Sequence, residues 1–92
     1  MELALIKINS PEWNYMWDWI STHPMNEGLD KPSIAYNEGE MWQYMGSFKQ
    51  KNQLVHSFRH RQHPMHNQRV DLHLKASDDF TEEQIEKNLK LK

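Results

Sequence analysis

A chain of 92 residues with 11 basic and 13 acidic side chains, a formal net charge of −2 and no cysteine is sized for one domain, residues 1–92. It excludes a disulfide framework and thiolate metal sites. The apolar run at its start, Leu3 to Ile6, is too short for a signal peptide or a membrane span, which predicts a cytoplasmic protein with no membrane partner. Four Trp, three Tyr and three Phe stand in for scarce aliphatic residues as core material.

Leu3, Ala4, Leu5, Ile6 and Ile8, interrupted by Lys7, read as a strand buried mainly on one face. Ser10-Pro11-Glu12 supplies an N-cap, a first-turn proline and an acid at the positive end of a helix that should run to about Thr22. Trp13, Met16, Trp17 and Ile20 share its core face by their spacing, and Tyr15 and Trp19 form a second pair displaced around the helix. His23-Pro24 ends it. Residues 24 to 40 are punctuated by Gly, Asn, Asp and Pro and read as a long connection in which only Ser33 to Tyr36 suggests an extended piece.

Residues 41 to 48 alternate, with Trp42, Tyr44, Gly46 and Phe48 on one side and Met41, Gln43, Met45 and Ser47 on the other. Lys49-Gln50-Lys51-Asn52 is a polar turn. Leu54, His56, Phe58 and His60 then share a strand face opposed by Val55, Ser57, Arg59 and Arg61. After a turn around Pro64, Val70, Leu72 and Leu74 face the core while Arg69, Asp71, His73 and Lys75 face away. Thr81-Glu82-Glu83-Gln84 resembles a capping arrangement that predicts a closing helix carrying Ile85 and Leu89. The order β-α-β-β-β-α predicts an α+β domain: an antiparallel sheet of about four strands with two helices packed on one face.

Charge is distributed unevenly along this order. Residues 41 to 76 hold six cations against one acid, a net +5, and five of the six histidines; residues 1 to 40 hold two cations against seven acids, a net −5. Such polarity is an argument about partners. Lys49, Lys51, Arg59, Arg61, His63, His66, Arg69, His73 and Lys75, interleaved with Trp42, Tyr44, Phe48 and Phe58, make a candidate anion-binding surface. Guanidinium groups bind phosphate or carboxylate bidentately, and rings can stack bases. The expected activity is non-enzymatic binding to an anionic partner, either nucleic acid or an acidic protein surface, with no cofactor. A solvated polar sheet face is the plain alternative, and the sequence pI of about 6.3 is low for a free nucleic-acid binder.

Two rival functions are legible. The acidic, Trp-rich half, with Tyr15 and Trp19 as anchors, suits an inhibitor or adaptor that binds a larger protein. The composition resembles that of small accessory proteins of phages and mobile elements, which bind and redirect host machinery. His56, His60, His63 and His66 suggest instead a small metal-dependent enzyme. That spacing matches no zinc-finger or H-E-x-x-H pattern, and on a strand His56 and His60 stand about 13 Å apart, too far to share one ion. No nucleophile elbow, P-loop or dinucleotide fingerprint is present.

Overall fold

The computed structural model describes residues 2–26, 42–63 and 68–90. Strand β1 (Glu2–Ile6) leads into helix α1 (Pro11–Ser21), and β2 (Gln43–Gln50), β3 (Gln53–His63), β4 (Gln68–Lys75) and β5 (Ile85–Lys90) follow. They form one antiparallel five-stranded sheet in the order β4-β3-β2-β1-β5. The mixed α+β class holds, with one α-helix among the described residues. The 24–40 connection beyond Asn26, including Ser33 to Tyr36, lies outside the described residues, as does the turn around Pro64.

The closing helix is replaced by a strand. Only Glu82–Gln84 coils, as a 3-10 turn, and Thr81 is extended with no side-chain cap bond. Ile85 and Leu89 sit four apart, a spacing that fits either period. What decides is β1, whose Leu3 to Ile6 run makes it a central strand needing ladders on both sides. Residues 85–90 supply the second ladder, with Leu3 opposite Leu89 and Ala4 opposite Asn88.

The helix start forms as its residues require. Ser10 is extended, its hydroxyl accepts the Trp13 N–H at 3.2 Å, and Thr22 closes the C-terminus. Met16 and Ile20 are fully buried against Ile6, Trp42, Phe58 and Leu74, while Trp13, Trp17 and Trp19 are partly buried around them. Edge-to-face contacts of Trp17 with Phe58 at 5.3 Å and Trp13 with Tyr44 at 5.9 Å seat the helix on β2 and β3. Between those strands Lys51 and Asn52 both have positive φ, 51° and 65°. With Gln50 opposite Gln53, this is the primed two-residue turn that suits a twisted hairpin.

Alternation holds in β4 and in β3 through His60, although Val55 on the outer face is itself buried. Leu54, Phe58, Val70, Leu72 and Leu74 pack into the core beneath α1, and Arg69, Asp71, His73 and Lys75 are exposed on the other face. In β2 it breaks: the register shifts between Tyr44 and Gly46, so one extra residue, Met45, re-phases the strand. Tyr44 faces the helix as expected, but Phe48 faces away and Ser47 turns inward, reversing the assignment of both. Gly46 makes the shift with φ 100°, and a Cβ there would meet Leu3 carbons at 2.8 to 2.9 Å.

Gly46→Ala should therefore lower stability by about 1–3 kcal/mol, the cost range of a side chain held in such a conformation. Chemical denaturation measures it, and an unchanged midpoint would contradict the bulge.

Candidate functional site

The bulge has a chemical consequence. It puts Tyr44 and Ser47, three residues apart, on the helix side, where the Tyr44 hydroxyl lies 2.6 Å from Ser47 Oγ. Opposite Ser47 in the ladder is His56, whose Nδ1 is 2.6 Å from the same Oγ and whose Nε2 is 2.5 Å from Glu12 Oε2. Glu12, in the first turn of α1, points inward because it stands four and eight residues before Met16 and Ile20, on the same buried stripe. Its carboxylate also accepts the Ser77 hydroxyl at 2.5 Å and the Ser77 N–H at 3.1 Å, and its own N–H donates to Gln84 Oε1 at 2.6 Å. Glu12, Ser47 and His56 are at most 1% exposed.

One arrangement of hydrogens satisfies the chain of bonds from Tyr44 to Glu12. Tyr44 donates to Ser47, Ser47 donates to Nδ1 of a neutral His56, and Nε2–H donates to Glu12 Oε2, so all donors run toward the Glu12 carboxyl group. Burial pushes the His56 pKa below 6.5, against the opposing pull of Glu12. Burial likewise raises Tyr44, with the nearby Glu12 charge adding to it and the bonds to Ser47 and Ile6 opposing it.

A serine, a histidine and a carboxylate in sequence are the parts of a nucleophilic triad. Here Ser47 Oγ is held between Tyr44 and His56 and has no surface to offer a substrate. The chain therefore organises a polar core. Beside it a cleft of about 550 Å³ is lined by Ala4, Ser47, Lys49, Leu54, Glu82 and Ile85.

The expected basic residues divide. Arg59, Arg69, His73 and Lys75 lie on the sheet face turned away from α1, where Arg59 is opposite Asp71, Ser57 opposite His73 and Val55 opposite Lys75. Phe48 joins them, its ring 5.5 Å from that of His73. Asp71 sits among the cations, with Oδ1 3.2 Å from Arg59 Nε and Oδ2 3.3 Å from Arg69 Nε. Lys49 borders the cleft on the helix side, and Lys51 is at the hairpin tip. Arg61 and His63 belong to β3 by backbone, with side chains outside the described residues, and His66 lies wholly outside them.

Of the alternative anchors, Tyr15 is exposed, whereas Trp19 packs on His23 at 4.9 Å and near Phe58 at 6.1 Å. His56 and His60 are both buried, the latter against Trp42. Among the described residues no three His, Cys, Asp or Glu converge to hold a metal, and no helix is long and apolar enough to cross a membrane. Comparison with protein families, curated proteins and solved structures finds no match to this chain.

Replacing His56 with Leu leaves the Glu12 carboxylate buried and short of a donor, so it should cost roughly 3–5 kcal/mol. Ser57→Ala, one residue along and facing the other way, should stay within about 0.5 kcal/mol. Urea titration compares the two, and similar midpoint shifts would rule out a buried charge at this position.

Proposed function

We propose that this protein is a non-enzymatic binding module that engages an anionic partner through the sheet face left uncovered by α1. The observation that carries this reading is the β3–β4 register, which gathers Arg59, Arg69 and Lys75, with His73, on that one face. Across the described β3–β4 pair, three cations against Asp71 leave this face positive on a chain whose formal net charge is negative. Both nucleic-acid phosphates and carboxylates of an acidic protein suit guanidinium donors. Phe48, half-buried beside the cations, adds aromatic surface for a base or a side chain.

Asp71 moderates the face. By bridging Arg59 and Arg69 it occupies donors that a partner's oxyanion would use, and both pairs are exposed enough that they add little to stability. Its removal should favour binding.

Titration with a labelled single-stranded oligonucleotide and, separately, with an acidic peptide tests the reading and distinguishes the two partner classes. Arg69→Glu with Lys75→Glu should abolish binding to the preferred probe without unfolding the protein, while Asp71→Asn should strengthen it. With about three phosphate contacts, affinity for the oligonucleotide should fall roughly tenfold to a hundredfold between about 50 and 200 mM salt. Failure of both probes to bind, or full binding by the double variant, would overturn the proposal.

A further inference from the structure

We propose that Glu12 and His56 form an acid-sensitive latch that holds the start of α1 and the 76–84 connector on the sheet. The inference is independent of the anion-binding face. Its basis is that one buried carboxylate joins three elements: α1 through Glu12 itself, β3 through His56, and the connector through two bonds from Ser77. Gln84, at the connector's far end, accepts the Glu12 N–H. The connector is also tied by the Ala76 N–H to the Leu54 carbonyl and by the Lys7 N–H to the Gln84 carbonyl, and its Phe80 packs against the core.

A proton entering this site has nowhere to go without breaking the pattern. On His56 it lands on Nδ1, where Ser47 already points a hydrogen. Ser47 must then turn toward Tyr44, and Tyr44 toward the Ala4 carbonyl, 3.5 Å away and at the limit of a hydrogen bond. The rearranged chain ends on that marginal bond, so the closed arrangement holds the proton poorly and release of the elements packed over His56 accommodates it.

The groups facing His56 are few. Glu12 approaches from α1 and Tyr44 from β2, with ring centroids 6.5 Å apart. In the same row β4 presents Leu74 and β1 presents Ala4. The connector's own acids, Asp78, Asp79, Glu82 and Glu83, are exposed.

The sign follows from linkage. Folding lowers the His56 pKa from 6.5, so the opened state binds the proton more readily. The latch is complete above about 6.5 and loses hold as pH falls below it. Because Glu82 and Ile85 wall the cleft, its release also loosens one side of that cavity. His23, which burial also lowers, lies beyond the other end of the helix, so its contribution is read separately from amides 22–26.

Hydrogen exchange of the full chain at pH 7.5 and 5.5, corrected for intrinsic rates, tests the proposal. Amides of 76–84 should open about tenfold more at pH 5.5, the ratio of protonated to neutral imidazole one unit below about 6.5. Those of 54–58 should be unchanged. Connector protection that is unaltered by acid, or lost in step with β3, would overturn the latch. Glu12→Gln should loosen the connector already at pH 7.5 and remove most of the acid effect; a full acid effect in that variant would also overturn it. If the variant does not fold, imidazole nitrogen shifts of the unaltered protein decide. His56 should remain neutral and protonated at Nε2 at pH 6.5, and a half-protonated His56 there would refute the proposal.

Discussion

Glu12 holds a carboxylate where water does not reach, and much of the structure can be understood as the compensation it requires. Stripping a carboxylate of water costs several kcal/mol even after relaxation. Three donors from two chain segments distant in sequence offset that cost, His56 from β3 and Ser77 twice from the connector. Each donor has to be held in place. His56 is oriented by Ser47, Ser47 by Tyr44, and Tyr44 by the Ile6 N–H at 3.4 Å. A satisfied network of this kind fixes the position of α1 more tightly than apolar contact, which tolerates sliding.

The bulge in β2 belongs to the same requirement. Without the extra residue, Tyr44 and Ser47 would lie on opposite faces and the hydrogen-bond chain would stop at His56. Gly46 makes the bulge at φ 100° and lets Leu3 pack directly on the backbone. The same phase shift sends Phe48 to the outer face, where it meets His73. One backbone irregularity thus completes the polar core and adds the aromatic ring to the candidate binding surface.

How much of this was legible in the sequence varies with the kind of signal. The Ser10-Pro11 helix start and the alternation over Leu54 to His60 and Arg69 to Lys75 follow from local rules, and the structure contains them; of the Lys49 to Asn52 turn only Lys51 and Asn52 turn, since β2 runs on to Gln50. Period-two counting puts Phe48 and Ser47 on the wrong faces because a bulge is a one-residue event that it passes over, though Gly46 marks the spot. The closing helix failed for a non-local reason: Ile85 and Leu89 satisfy a helical spacing, but β1 needed a second ladder. Glu12 reads locally as an acid in the first turn of a helix, which it is. Its deeper role was encoded only in phase, since it extends the Met16 and Ile20 stripe by one step. No rule of composition expects a carboxylate there.

The outer face poses a choice between two physical accounts. Charged side chains on β4 could serve only to keep an edge strand from pairing with another chain, a common protective device. That account needs charge of either sign and needs it on the edge alone. The arrangement goes further: Arg59 lies one strand in from the edge, and Phe48 two strands in. Arg59, Arg69 and Lys75 repeat one sign, which costs repulsion that exposed pairing to Asp71 repays only slightly. A cluster of like charges extending inward beside a half-buried ring is poorly explained by stability or by edge protection, and it has the chemistry to receive an anion.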